Sequence, residues 1–327
     1  MDDGWSDEPP PEHKTDVQRE VARRIITYND SPYVGFDRSI NPYRGCEHGC
    51  IYCFARPTHA YLGLSPGLDF ETKLFAKPNA ATLLRKELSA KKYQVAPIAI
   101  GTNTDPYQPI EKRLRIMRSV LEVLAAFQHP VSILTKSDLI LRDLDILAPM
   151  AEMGLARAML SITTQDGKLA RAMEPRAPRP DKRFAALEGL AAAGIPTGVV
   201  HGPMIPGLSD HELEPLMTRA KEAGATYAAF TILRLPQEVG PLFEEWLETF
   251  APNHAGRVLR HLREMNGGRI YDAQWSRALE PRGTFSLLLH QRFGAAYRRL
   301  GFDEMPPLRT DLFAVPKTPD PQRDLFG

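Results

Sequence analysis

The 327-residue chain contains three cysteines, and all of them stand in one segment, NPYRGCEHGCIYCFAR, as Cys46, Cys50 and Cys53. The spacing is C-x3-C-x2-C. An odd, tightly clustered set is no disulfide framework. Three thiolates on one loop can bind three corners of a cubane iron–sulfur cluster, because thiolate sulfur is the usual protein ligand for such clusters. One iron then lacks a protein ligand and stays open for chemistry. Gly45 and Gly49 give the loop freedom to wrap closely. The alternative is a zinc site with His48 or His59 as fourth ligand. Structural zinc sites normally draw on a second, distant ligand pair, and no second cysteine pair exists here.

Further polar groups follow apolar runs. GTNTDPYQP places Asn103, Thr104 and Asp105 after one such run. Asp105 suits a cationic amine, although Thr-Asp before Pro is equally good turn chemistry. Lys136 ends the run VSILTK, where burial without an anion would be costly; snorkelling to solvent is the alternative. Ser161 and Thr163 alternate in MLSITTQD and share one face of a strand. Glu174 and Arg176 sit in the Pro-rich stretch MEPRAPRP, as ligand-binding groups or as a surface salt bridge. His201 either faces a substrate or is a satisfied core histidine.

These groups need a scaffold, and the intervening text supplies one. Residues 79–90, 111–127, 139–154, 181–194 and 211–224 carry helical apolar spacing. Between them lie strand-like runs in VAPIAIGTN, VSILTKS, RAMLSITTQD, IPTGVVHGPMIPG and YAAFTILRL, with a first strand near residues 34–43. Helices expected to end at Gly194 and Gly224 carry the usual stop residue. Six strand–helix alternations predict an α/β protein with parallel strands and crossover helices. The fold is expected to be a partial (β/α)6 TIM-type barrel over residues 21–240, with a doubly wound sheet as the alternative. Both architectures place ligands at the C-terminal ends of strands, where the polar groups above fall. Residues 241–305 predict a helical C-terminal extension.

The cysteine spacing, with Tyr52 before the last cysteine, resembles the signature of the radical S-adenosylmethionine (SAM) superfamily. The wider text NPYRGCEHGCIYCFARPTHAYLG resembles the branch related to spore photoproduct lyase, the DNA repair photolyase-like proteins. The resemblance covers roughly residues 30–235. It implies a [4Fe–4S] cluster on Cys46, Cys50 and Cys53, with SAM chelating the open iron. It implies reductive cleavage of SAM to a 5′-deoxyadenosyl radical that abstracts hydrogen from substrate, and an electron donor such as flavodoxin or ferredoxin. Asn103, Thr104 and Asp105 would face the SAM amino group, and Lys136 the SAM carboxylate. Ser161 and Thr163 would meet the ribose or methionine. Glu174 and Arg176 would bind SAM or substrate, and Ile205, in MIPGL, would lie beside adenine. One departure matters. Well-studied members of the branch use an extra cysteine as hydrogen donor, and the corresponding neighbourhood here reads Gly101–Thr102–Asn103. Lyase action on the spore thymine dimer is therefore not expected, and Tyr107 is the substitute considered for hydrogen relay.

The bulk composition, 43% hydrophobic and 25% charged with net charge +1, is that of an ordinary globular protein. No apolar run reaches the length of a membrane span. The acidic, Pro-rich start lacks a signal-peptide pattern, so a cytoplasmic location without membrane association is expected. Residues 1–20 are expected to form a disordered acidic tail, and residues 306–327 a second disordered tail. Residues 251–310 hold ten Arg, no Lys and five acidic residues, which suits contact with the phosphates of DNA. Tyr271, Trp275, Phe285, Phe293 and Tyr297 interleave with them as candidates for base stacking, against a solvated helical face over an ordinary aromatic core. The terminal QRDLFG resembles the peptide by which bacterial replication and repair proteins dock the DNA sliding clamp, through Gln322, Asp324, Leu325 and Phe326. Three functions follow: a radical SAM enzyme acting on a DNA lesion, one acting on a protein or small molecule, or a non-catalytic metal-binding module recruited to DNA.

Overall fold

The computed structural model describes residues 14–31, 34–271 and 283–316. Six parallel strands form the centre: β3 (Arg38–Ile40), β6 (Ile98–Ile100), β7 (Val131–Thr135), β8 (Ala156–Ser161), β9 (Thr197–Met204) and β10 (Tyr227–Ile232). They pair in that order, and β2 (Ile26–Tyr28) adds an antiparallel edge beside β3. Strands covered on both faces read as continuous apolar runs, and Ile98, Ile100, Val131, Ile133, Ala158, Leu160 and Val199 are all buried. The arrangement is the expected partial (β/α)6 barrel.

A second sheet of three strands frames the cysteine segment. β1 (Asp16–Arg19) runs parallel to β5 (Lys73–Ala76), and β4 (Tyr43–Arg44) pairs antiparallel with β5. Between β4 and β5 lie the cysteines, a 3-10 turn over Arg56–Leu62 and the short helix α1 (Asp69–Thr72). Residues 16–20, expected within a disordered tail, are thus part of this sheet or continue its pairing. β1 joins the sheet because the unpaired edge of β5 supplies hydrogen-bond partners, and Glu20 continues the pairing through its amide to Ala76 O.

The crossover helices are α2 (Ala80–Leu88), α3 (Glu111–Leu114), α4 (Ile116–Ala126), α5 (Leu144–Glu152), α6 (Gly167–Met173), α7 (Pro180–Ala192) and α8 (Leu213–Glu222). α4 buries Met117, Val120, Leu121 and Leu124, the i, i+3, i+4, i+7 stripe of a helix lying on a sheet. The single helix expected over residues 111–127 is broken at Arg115, whose φ is +52°. Buried Glu111 explains the break: its carboxylate accepts from the amides of Met117 (3.0 Å) and Arg118 (3.4 Å) and so caps α4 from the preceding turn.

The extension consists of α9 (Val239–Phe250), α10 (Pro252–Met265) and α11 (Gly283–Arg299). Phe285, Phe293 and Tyr297, half-buried, pack against the core, while Phe250 at the end of α9 is exposed. Phe285 stacks on His261 at 3.9 Å, and Phe293 packs between Phe230 and Tyr297. Tyr271 is half-buried after α10, and Trp275 lies outside the described residues. Residues 306–316, expected in a disordered tail, pack on the body. Phe313 sits among Tyr93, Phe127 and His129, with ring centroids 5.6 to 6.3 Å away. The amides of Arg309 and Ala314 bond to Gly154 O and Phe127 O. A Pro-rich segment folds here because it carries one aromatic anchor and a few backbone bonds. Among the described residues, no helix is long and apolar enough to cross a membrane.

Candidate active site at the cysteine loop

A cavity of about 350 Å³ opens at the C-terminal ends of β6 to β10. Cys46, Cys50 and Cys53 line it together with His48, Tyr52 and Phe54. The strand ends contribute Asn103, Thr104 and Asp105 after β6, Lys136 after β7 and Ser161 on β8. Phe230 and Thr231 come from β10, Arg234 from the segment after it, and Ser286 and His290 from α11.

Thr104, Asp105, Lys136 and Ser161 are held from behind. Asp105 accepts from Thr135 Oγ1 (2.6 Å), Lys136 N (2.8 Å) and Tyr107 N (2.9 Å), which fixes the carboxylate at the mouth of β7. His48 Nδ1 lies 3.5 Å from Asp105 Oδ2, and His48 Nε2 is buried without a hydrogen-bond partner. Burial lowers the His48 pKa to about 4 against the opposing pull of Asp105, so the ring is neutral near pH 7. Thr104 Oγ1 donates to Tyr43 O at 3.0 Å. Lys136 Nζ donates to Ser161 Oγ at 2.7 Å, and Ser161 Oγ donates to Gly202 O at 2.8 Å. The anion that Lys136 needs is Glu174, 3.5 Å away.

Glu174 is 1% exposed and does not line the cavity. It pairs with Arg183 of α7, accepts from the Tyr52 hydroxyl, and accepts from Thr163 Oγ1 at 2.6 Å. Burial alone would raise its pKa, but Arg183 and Lys136 outweigh burial and hold it well below the ordinary carboxylate range. Thr163 lies two residues past the end of β8 and joins this buried group. Arg176 turns away from the cavity: its Nε donates to Glu47 O at 2.5 Å and its guanidinium pairs with Glu71. Ile205 is buried, and its amide donates to Ser209 Oγ. Tyr107 is buried beneath Arg142, 5.9 Å above its ring. His201 Nε2 lies 3.1 Å from Thr163 O, and burial lowers its pKa to about 4. The structure thus gathers Cys46, Cys50, Cys53, Asn103, Thr104, Asp105, Lys136 and Ser161 around one cavity, while Thr163, Glu174, Arg176, Ile205, Tyr107 and His201 lie behind or beside its wall.

The thiols fit a group that brings positive charge. Burial raises the pKa of all three, that of Cys50 to about 12. Thiolates are the species that bind iron, and a cationic cluster core would offset the cost of forming them here. Among the described residues no three His, Cys, Asp or Glu side chains enclose a single ion. Gly45 has φ +76°, and a Cβ there would lie 2.6 Å from the Leu74 side chain, so the loop accepts no larger residue at that turn.

Sequence reasoning missed Arg56 and Glu71. Arg56 is 1% exposed and donates to four backbone carbonyls of the loop and the turn after it. An arginine three residues past the last cysteine reads as a surface residue, and only the fold reveals its burial. The cavity walls from β10 and α11 were also missed, because no motif marks them.

The radical SAM superfamily profile matches residues 40–220. An uncharacterized protein of Mycobacterium tuberculosis is 39% identical over 224 residues, 68% of this chain and 66% of its own length. An uncharacterized protein of Methanocaldococcus jannaschii is 31% identical over 200 residues, 61% of this chain and 71% of its own length. The chain therefore spans slightly less than two thirds of the mycobacterial relative. Among solved structures, a tyrosine-to-phenylalanine variant of spore photoproduct lyase superposes with a TM-score of 0.57 at 15% identity, covering 88% of this chain and 80% of that one. A cysteine variant of the same lyase, with bound AdoMet and dinucleoside spore photoproduct, gives 0.53 at 16% identity, covering 70% and 66%. At these identities the likeness is one of fold. The profile spans more than half of the chain, across the cysteine loop and the whole of β6, β7, β8 and β9, and the chain belongs to the radical SAM superfamily.

Proposed function

We propose that this protein is a radical SAM enzyme in which Cys46, Cys50 and Cys53 hold a [4Fe–4S] cluster and SAM occupies the adjoining cavity. The observation that carries this reading is the convergence of the three thiols and the polar strand ends on one cavity of about 350 Å³. When bound, cluster and SAM supply a 5′-deoxyadenosyl radical for hydrogen abstraction from substrate. The protein's part is to bind, orient and exclude water. Asp105, fixed by three donors, offers a carboxylate to the SAM amine. Lys136 offers an ammonium to the SAM carboxylate, and Asn103 and Ser161 offer neutral hydrogen bonds. Leu134, Val200 and Phe230 give the rest of the wall an apolar part, beside Thr231, Arg234, Ser286 and His290. A small redox protein such as flavodoxin or ferredoxin is the electron donor in this reading.

DNA is the substrate class best supported by the surface. α10 packs on α11, whose Ser286 and His290 line the cavity. Arg257, Arg260 and Arg263 on α10, and Arg269 after it, are exposed. Such a row suits phosphates, whose contact makes affinity fall with salt. Deuterium transfer from labelled substrates into 5′-deoxyadenosine, beginning with damaged DNA, tests the assignment. Transfer from DNA supports it. Transfer only from a peptide or small molecule, with no salt-dependent DNA binding, establishes the other enzymatic reading.

The terminal peptide Gln322–Phe326 lies outside the described residues. As a sliding-clamp ligand it would act as a hydrophobic anchor on a tether. Calorimetry with the clamp should show binding by the full chain and none after removal of the last six residues. A full chain that does not bind rules this out.

A further inference from the structure

Four successive carbonyls of the cysteine loop are held by two arginines. Glu47 O accepts from Arg176 Nε at 2.5 Å, and His48 O accepts from the Arg176 amide at 3.3 Å. Gly49 O and Cys50 O accept from Arg56 Nη2 and Nε, each at 2.9 Å. The two guanidinium groups meet on one carboxylate. Glu71 Oε1 accepts from Arg56 Nη2 at 2.6 Å, and Glu71 Oε2 pairs with Arg176. Arg56 is 1% exposed and the Arg176 and Glu71 side chains 13% each, so solvent screens these charges little. The clamp also fits the loop sterically. Gly49 has φ +68°, and a Cβ there would sit 2.5 Å from Glu71 Oε2 and within the Arg176 guanidinium.

We infer that Arg56, Glu71 and Arg176 form a positioning clamp that shapes the cluster loop before metal arrives and sets the potential of the bound cluster. This rests on the assignment of Cys46, Cys50 and Cys53 to a cluster. A short loop with two positive-φ glycines has many conformations, and ordering it on metal binding costs conformational entropy at every residue. Holding its carbonyls beforehand removes much of that cost. Two cations and one anion leave a net positive charge behind the loop. Positive charge near a cluster favours its reduced form and raises the potential, one of the levers a protein has over such centres.

The inference separates into two measurements on the full-length protein. In metal-free protein, hydrogen exchange at residues 46–53 reports on loop order without any cluster. Arg56→Lys and Arg176→Lys keep the charge but cannot span two acceptors in a fixed fork. Both should speed exchange in the loop and lower iron and sulfide content after reconstitution, with the overall fold unchanged by circular dichroism. In loaded protein, redox titration followed by electron paramagnetic resonance reports the potential. Arg176→Gln should lower the midpoint and Glu71→Gln should raise it, whereas a merely structural role gives no opposed shifts. Wild-type exchange and loading in both lysine variants, or shifts of the two glutamine variants in the same direction, would overturn the clamp. A wild-type protein that takes up no iron and sulfide would overturn the cluster assignment instead, and the exchange result would stand apart from it.

Discussion

At the scale of single residues, Glu174 carries the most consequence for stability. It gathers Tyr52, Thr163, Lys136 and Arg183 on one fully buried carboxylate. Glu174→Gln leaves Arg183, itself 1% exposed, without its counter-charge. Breaking a buried pair at one partner costs about 3–5 kcal/mol, and chemical denaturation should show a loss of that size. The native pKa of Glu174 lies below its unfolded value, so its contribution is present above the ordinary carboxylate range and is lost only as pH falls well below about 4. The cysteines were legible in the sequence because metal ligation imposes a short, fixed spacing. The clamp was not, because Arg56 and Arg176 act through residues brought to them by α1 and by the turn after α6. Glu174 was legible as a site residue, yet the sequence could not show whether it faces a ligand or the charges behind the wall.

At the scale of elements, the turn after β6 decides where Asn103, Thr104 and Asp105 stand. Gly101 has φ +90°, and a Cβ would overlap the Leu134 carbonyl of the neighbouring strand. Gly101→Ala should therefore cost at least about 2 kcal/mol, from left-handed strain and displaced backbone. It should also weaken SAM binding to the loaded protein measured by calorimetry. Unchanged melting and binding would show that the turn does not depend on glycine. The six parallel strands were readable because burial on both faces writes apolar runs into the sequence. The break between α3 and α4 was not, since no Gly or Pro marks it and its cause is the side chain of Glu111. β1 was equally hidden, because its partner β5 lies more than fifty residues downstream.

At the scale of the whole molecule, the C-terminal arm closes the fold on itself. Phe313→Ala removes an aromatic anchor from the slot of Tyr93, Phe127 and His129. The half-buried position suggests a loss of about 2 kcal/mol, below the range for a fully buried ring, read as a lower melting temperature. A Pro-rich composition concealed this segment, because order here depends on a slot assembled from distant elements. Acid should loosen the molecule for a different reason. His129 and His201 are buried neutral, with pKa values lowered to about 4 by burial. The unfolded chain takes up these protons near pH 6.5, so stability is full above that value. It falls between pH 6.5 and 4 by about 1.4 kcal/mol per pH unit for each histidine. Replacing His129 with an uncharged residue should flatten that decline in a series of melts. In the proposed loaded molecule, three thiols from one loop would hold a cluster that cleaves SAM. The most direct test is anaerobic reconstitution of wild-type protein and Cys50→Ala, with iron and sulfide analysis and quantification of 5′-deoxyadenosine under dithionite. Wild-type protein should take up about four irons and four sulfides per chain and form 5′-deoxyadenosine, and Cys50→Ala should form none. SAM cleavage by Cys50→Ala, or a wild-type protein that binds zinc and leaves SAM intact, would contradict the assignment.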